Sequence, residues 1–119
     1  MASYTVEFLK TAAEELAGLP REAQRQIVKR IEDLKDDPRP AGITQLKGPE
    51  KFLRLRVGDY RVLYLIEGRR LVVLIVRIGD RKDVYESLEV LTRRVKAWET
   101  EQTVGRRRAT GGSGSQPKK

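Results

Sequence analysis

The sequence predicts a small single α+β domain whose elements follow the order β-α-α-β-β-β, with one further helix after the last strand. Two observations lead to this prediction. Apolar residues recur at helical spacing in the first third of the chain, and they alternate with polar residues between positions 52 and 78. Because 119 residues suit one domain, we expect an antiparallel meander sheet with an N-terminal strand and a layer of two helices on one face.

The first third of the chain contains one strand and two helices. Apolar and polar residues alternate over residues 4–8, as in a half-buried strand. A helix is predicted over residues 11–19, where Thr11 and Glu14 have the spacing of a capping box. Pro20 then opens a second helix, which two later prolines terminate. The two helices are expected to form an antiparallel pair.

Three strands are predicted next, over residues 52–57, 60–66 and 71–78. The first two are joined only by Gly58 and Asp59, and a loop of two residues fixes the register of a hairpin. The expected cross-strand pairs are Val57 with Tyr60, Arg56 with Arg61, Leu55 with Val62 and Arg54 with Leu63. Apolar residues of both strands then share the face that the helices cover, and the opposite face carries three arginines.

The predicted hairpin opposes Arg56 directly to Arg61 and places Arg54 beside them. Like charges at opposed positions cost about 0.2–1 kcal/mol, so folding alone gives no reason for this cluster. One interpretation is that the arginine stems lie along apolar neighbours with their charged ends in water, or pair with nearby carboxylates. The other is an anion site in which two or three guanidinium groups bind a phosphate. The spacing of the arginines favours the anion site.

The net charge of +8 is unevenly distributed along the chain. Residues 1–46 carry 7 Lys/Arg and 8 Asp/Glu, whereas residues 47–85 carry 10 and 5, and residues 86–119 carry 8 and 4. The excess of positive charge therefore begins just before the hairpin. This distribution indicates a polyanionic partner, either nucleic acid or an acidic protein.

The chain contains no cysteine and no histidine. Disulfide scaffolds, thiol nucleophiles and thiolate metal sites are thereby excluded, and the commonest metal ligand and usual general base are absent. We predict no metal and no cofactor, and a chemistry that uses Arg, Lys, Tyr or carboxylates. The longest apolar run, residues 71–76, is too short to span a membrane. Because the N-terminus also lacks the features of a signal peptide, a cytoplasmic location is expected.

A final helix is expected from about residue 84 to residue 100. Beyond it, residues 101–119 have the composition of a flexible basic tail, without the apolar repeat that packing against a core requires. The predicted organisation is therefore a folded domain over residues 1–100, followed by a disordered tail.

Four segments of the chain carry a resemblance to a known family. They read YTVEFLKTAAEELAGLP, DPRPAGITQLKG, FLRLRVGDYRVLYLI and LVVLIVRIGDRKDVYE, and they span residues 4–86. Together they resemble the RelE/ParE superfamily of bacterial type II toxins, on the RelE side. The resemblance implies a RelE-like fold of the microbial RNase type. It also implies a metal-independent endoribonuclease that cuts mRNA in the ribosomal A site and arrests growth, and a RelB-like or related antitoxin that neutralises it.

The resemblance also assigns roles to individual residues. Arg61 is expected to clamp the transition state, with Arg56 opposite it. Arg81 would face the leaving 5′-oxygen, and Tyr85 would stack on a base or position the 2′-hydroxyl group. Contacts to RNA are expected from Arg54, Lys47, Lys51 and Lys82.

Two departures from the family pattern concern proton transfer. Some relatives have lysine where this chain has Arg54 and Arg56, and arginine is a poor proton acceptor because its pKa lies above about 12. Other relatives have the histidine of a G-H-R motif near the last strand, where this chain has Asp80. Asp80 either repels the phosphate and weakens activity, or serves as the base.

Two other functions fit the same sequence. A ParE-like toxin would share the fold and act on DNA gyrase, although the short helical pair and the intact set of arginines favour RelE. A catalytically weak module that only binds RNA or an acidic antitoxin would also explain the basic hairpin. Equal inhibition of translation by the wild-type chain and an Arg61→Ala variant would exclude the ribonuclease.

Overall fold

The computed structural model describes residues 3–48, 50–82 and 88–110, the last range without the side chains of residues 88 and 102–110. Its elements are β1 (Thr5–Phe8), α1 (Lys10–Ala17), α2 (Arg21–Asp33), β2 (Thr44–Gln45), β3 (Leu53–Val57), β4 (Tyr60–Glu67), β5 (Val72–Asp80) and α3 (Leu88–Thr110). The predicted α+β fold class is confirmed. No helix within these ranges has the combination of length and apolar character that a membrane span requires.

The five strands form one mixed sheet in the order β1-β5-β4-β3-β2. The predicted meander consists of β3, β4 and β5, which pair antiparallel. At one edge of the sheet β1 lies parallel to β5, with Thr5 opposite Val72. At the other edge is β2, where Thr44 lies opposite Arg54. The sequence pattern does not reveal β2, because two residues are too few to show an alternation.

The β3–β4 hairpin has the predicted register. Val57 pairs with Tyr60, Arg56 with Arg61, Leu55 with Val62 and Arg54 with Leu63. Gly58 opens the two-residue loop with a φ of 59°, a left-handed conformation that glycine adopts readily. Loops of this kind match the twist of antiparallel strands, so the loop itself holds Arg56 against Arg61.

The helices α1 and α2 cover the face of the sheet opposite the three arginines. The first packs against β1 and β5, and the second packs against β3. Ile27, Ile31 and Leu34 are at most 1% exposed in this layer. The strand side chains of the same core include Leu53, Leu55, Val57, Val62 and Tyr64. Burial of an aliphatic side chain contributes about 1.5–3 kcal/mol, so this layer stabilises the sheet that presents the arginines.

The predicted capping box at the start of α1 is wrong. Leu9 occupies the N-cap position, and no side chain caps the helix. The backbone N–H of Leu9 still donates to Ile75 O, at 2.9 Å, so the chain follows β5 up to the residue at which the helix begins. Thr11 therefore lies inside the first turn, where its hydroxyl group is buried and makes no hydrogen bond among the described residues.

Beyond the end of β1, the side chain of Glu15 in α1 takes the place of a neighbouring strand beside β5. The last residue of β1, Phe8, lies opposite Ile75, so the following part of β5 has no strand on that side. One carboxylate oxygen of Glu15 accepts the N–H of Ile78 at 2.9 Å, and the other pairs with the Arg77 guanidinium. A side chain thus satisfies the strand edge that β1 leaves open.

The final helix, α3, also packs against β5 and buries Leu91, Val95 and Trp98. It extends to Thr110, ten residues beyond the helix end predicted from the sequence. Once packing has nucleated a helix, adding further residues costs little free energy even when they bury no apolar side chain. The loss of the apolar repeat after residue 100 therefore does not mark the end of α3. Residues 111–119 lie outside the described ranges, and both the division of the chain at residue 100 and the disordered tail over residues 101–119 stay predictions.

The buried Tyr64 gives the fold an expected sensitivity to alkaline pH. Its hydroxyl donates to Pro38 O at 2.7 Å. Burial raises the pKa of Tyr64 to about 12, against the opposing effect of Arg39 and with a smaller contribution from Asp37. The unfolded pKa is about 10, so the protonated phenol contributes stability below pH 10, and this contribution is lost as the pH rises toward 12.

We expect Tyr64→Phe to lower the free energy of unfolding at pH 8 by about 1 kcal/mol, the net value of one hydrogen bond. Between pH 10 and 12 the free energy of unfolding of the wild type should fall by roughly 2–3 kcal/mol more than that of the variant. Urea unfolding of both proteins across this range measures the difference. A difference in free energy of unfolding that stays constant across this pH range would contradict the raised pKa of Tyr64.

Candidate phosphate-binding site

A cavity of about 550 Å³ lies on the face of the hairpin opposite the helical layer. It is lined by Gly42, Thr44, Arg54, Arg56, Arg61, Arg81 and Lys82, and we refer to it as the arginine cavity. Five of these seven residues are cations, and none is an acid. The predicted cluster of Arg54, Arg56 and Arg61 is therefore extended by two cations from the end of β5.

The register of the sheet brings the first three arginines together. Arg56 and Arg61 are direct cross-strand partners, and Arg54 follows two residues away on the same face of β3. Arg56 is exposed, whereas Arg54 and Arg61 are half-buried. Arg54 also donates to Thr44 Oγ1 of the neighbouring strand, at 3.4 Å.

The side chain of Arg61 is held by the turn of its own hairpin. Its Nη1 atom donates to Gly58 O at 3.1 Å and to Tyr60 O at 3.0 Å. A guanidinium group has five N–H donors, so the donors on Nε and Nη2 remain for a ligand. The carbonyl groups fix the orientation of the cation without neutralising its charge.

Arg81 and Lys82 enter the cavity because the end of β5 is attached to the same turn. The backbone N–H of Arg81 donates to Asp59 O at 3.0 Å, and the N–H of Lys82 donates to Asp80 Oδ1 at 2.9 Å. Asp80 lies opposite Tyr60, whereas the neighbouring Gly79 lies opposite Arg61. The carboxylate therefore caps the turn on the other face of the strand and does not line the arginine cavity.

The opposed arginines are not neutralised by carboxylates within the described part of the chain. Ion pairs in that part join Arg25 to Glu22, Lys35 to Glu32 and Arg77 to Glu15. Arg56, Arg61 and Arg81 take part in none of them. The convergence of these cations on one cavity is the geometry expected of an anion site, because guanidinium groups bind phosphate through paired hydrogen bonds.

Two other predicted site residues, Lys47 and Lys51, lie outside the arginine cavity. Lys51 lines a different cavity, beside Trp98 and Glu99, and Lys47 is an exposed residue that follows β2. Tyr85 lies outside the described residues. Lys47 and Lys51 are therefore not brought together with the arginines.

Sequence reasoning missed two residues of the lining, Gly42 and Thr44. Gly42 has a φ of 88°, and there is open space where a Cβ atom would stand. Thr44 is placed by its pairing with Arg54. The sequence shows that a helix-breaking segment precedes the hairpin. It does not show that this segment passes over the cavity, because that path depends on β2, which is too short to have a detectable sequence pattern.

Comparison with known proteins identifies the family. A family model described as the ParE toxin of the type II toxin-antitoxin system parDE matches residues 6–85. The chain belongs to the RelE/ParE superfamily of type II toxins. The matched segment includes all seven of the described residues that line the arginine cavity.

Individual members of the RelE/ParE superfamily support the same assignment. Toxin RelG of Mycobacterium tuberculosis is 32% identical over 83 residues, which are 69% of this chain and 95% of RelG. The archaeal RelE-RelB complex of Pyrococcus horikoshii contains a chain that superposes with a TM-score of 0.61 at 27% identity, covering 68% of this chain and 98% of that one. A chain of the M. tuberculosis toxin-antitoxin complex RelBE2 superposes with a TM-score of 0.59 at 30% identity, covering 67% of this chain and 100% of that one. The resemblance to RelE seen in the sequence motifs is confirmed.

Proposed function

We propose that this toxin is a metal-independent endoribonuclease that cleaves mRNA in the ribosomal A site and thereby stops translation. The observation that carries the proposal is the arginine cavity, whose described lining brings five cations to one surface. The similarity to toxins named RelE and RelG supports the same activity.

The proposed reaction is attack of a ribose 2′-oxygen on the adjacent phosphorus atom. The 2′-hydroxyl group releases its proton to solvent as a bond forms between the 2′-oxygen and phosphorus. The bond from phosphorus to the 5′-oxygen breaks and the 5′-oxygen takes a proton from solvent, which leaves a 2′,3′-cyclic phosphate and a 5′-hydroxyl group. Negative charge builds on the phosphorane oxygens during this step. Cations that are already oriented stabilise this charge without reorganising. Arg61, fixed by two turn carbonyls, is suited to this clamp, and Arg56 lies opposite it.

The other predicted residues have supporting roles in this scheme. Arg81 stabilises the leaving 5′-oxygen, because the end of β5 brings it to the same cavity. Arg54 binds an adjoining phosphate, and Lys82 adds a further contact. Tyr85 stacks on a base or positions the 2′-hydroxyl group. Lys47 and Lys51, outside the cavity, contact the RNA backbone at longer range, so their loss lowers the salt dependence of binding.

The proposed protein partner is an antitoxin of the RelB type. Both solved structures compared above are complexes of a toxin with its antitoxin. An acidic antitoxin segment that becomes ordered on binding would gain the most binding free energy by covering the concentrated positive charge of the arginine cavity. We infer that the antitoxin blocks the site that mRNA would otherwise occupy.

The ribonuclease activity is tested by mapping the ends of a defined mRNA after adding the purified toxin to a cell-free translation system. New 5′ ends within translated codons are expected, and the same mRNA without ribosomes should stay intact. Unimpaired translation with no new ends would refute the proposal.

A second candidate is inhibition of DNA gyrase, because the matching family model is named for ParE. A supercoiling assay with purified gyrase separates the two functions. Inhibition of supercoiling together with intact mRNA would favour the ParE-like function. The ribonuclease proposal expects normal supercoiling at toxin concentrations that stop translation.

A further inference from the structure

Among the described residues that line the arginine cavity, one polar side chain is not a cation. The described lining consists of five cations, Gly42 and Thr44. Arginine and lysine side chains donate hydrogen bonds and accept none, whereas a threonine hydroxyl has two lone pairs and one proton. Within this lining, Thr44 Oγ1 is therefore the one side-chain atom able to accept a hydrogen bond.

This distinction matters for an RNA ligand. A phosphate offers only acceptors, and the five cations suit it. The ribose 2′-hydroxyl group beside that phosphate carries a proton, and a hydroxyl that is surrounded by donors alone leaves this proton without a partner. The 2′-hydroxyl is also the group by which a protein distinguishes RNA from DNA.

The position of Thr44 is set by the sheet. Thr44 lies directly opposite Arg54, and cross-strand partners point to the same face, about 4.5–5.5 Å apart at Cβ. Arg54 donates to Thr44 Oγ1 at 3.4 Å, which uses one of the two lone pairs. Gly42, two residues earlier, leaves open space where a side chain would stand. The hydroxyl is thus exposed beside a cation, with one lone pair still available.

We propose that Thr44 Oγ1 accepts a hydrogen bond from the 2′-hydroxyl group of the nucleotide whose 3′-phosphate lies among the arginines. Thr44 thereby selects ribose over deoxyribose and orients the attacking oxygen. It takes no proton from that oxygen. This inference rests on the proposed function, since it requires that the cavity bind a nucleotide phosphate.

The test combines two protein side chains with two nucleotides that cannot be cleaved. Adenosine 3′-monophosphate and 2′-deoxyadenosine 3′-monophosphate differ only in the 2′-hydroxyl group, and Thr44→Val removes the protein hydroxyl while keeping the shape of the side chain. NMR titration gives the dissociation constant of each combination. Thr5→Val, which removes a hydroxyl group from β1 outside the cavity, is the matched control.

The wild type and Thr5→Val are expected to bind the ribonucleotide about 3- to 10-fold more tightly than the deoxyribonucleotide, as one hydrogen bond allows. Thr44→Val should lose this preference by weakening only the ribonucleotide, and Thr44→Ser should keep it. A preference that survives in Thr44→Val, or that the wild type lacks, would overturn the inference while leaving the phosphate site intact. Failure of the wild type to bind either nucleotide would overturn the phosphate site and the inference together.

Discussion

Replacement of Arg61 by alanine is expected to slow mRNA cleavage by about 10²-fold or more, the effect of removing one preorganised donor to a developing oxyanion. The orientation of Arg61 is constrained, because two carbonyl oxygens of the hairpin turn hold its Nη1 atom. Arg61→Lys keeps the charge but loses the planar guanidinium group and the geometry in which it donates to the two turn carbonyls. An intermediate rate is therefore expected for the lysine variant.

The rate is measured from the appearance of new mRNA ends in the cell-free translation system. Arg69→Ala is the matched control, since it removes an equal charge from an exposed residue of the β4–β5 turn that does not line the arginine cavity. Thermal unfolding of each variant verifies that the hairpin is intact. Equal cleavage by Arg61→Ala and Arg69→Ala would contradict the role of Arg61 as the clamp.

Replacement of Glu15 by alanine is expected to lower the free energy of unfolding by about 2–4 kcal/mol, because it removes the carboxylate that pairs with a partly buried guanidinium group and the acceptor of a strand N–H. The Glu15 and Arg77 side chains are 24% and 14% exposed. Glu15 also accepts the N–H of Ile78, where β5 has passed the end of β1. Because this part of β5 leads directly to Arg81, cleavage activity should fall as well.

Urea unfolding measures this loss, with Glu14→Ala as the control because Glu14 is an exposed neighbour on the same helix. A double variant that also replaces Arg77 by methionine should recover part of the lost stability, since no buried charge then lacks its partner. Equal stability of the Glu14 and Glu15 variants would show that the contact contributes little.

The hairpin was predictable from the sequence because its determinants are local. Two loop residues, one of them glycine, leave a single register in which the apolar face stays buried. That register opposes Arg56 to Arg61, so the arrangement of the first three arginines followed from the chain itself. Arg81 was identified through the family motif, and the structure places it in the same cavity.

The features that the sequence did not predict depend on contacts between distant segments. The start of α1 follows from the backbone bond of Leu9 to Ile75, which no local pattern encodes. The contribution of Thr44 requires the pairing of β2 with β3. The position of Asp80 away from the cavity depends on its alignment with Tyr60, since a motif gives the order of residues but not the face of the strand to which each one points.

The parallel pairing of β1 with β5 has a consequence for the time at which the arginine cavity forms during synthesis. Thr5 pairs with Val72, so the first strand has no partner in the sheet until most of the domain has been synthesised. Contacts between such distant segments slow folding, because a long loop must close before they form. Arg81 and Lys82 of the arginine cavity follow β5 directly. The nascent chain therefore lacks the complete arginine cavity for most of elongation, and the cavity assembles only after the last strand has emerged.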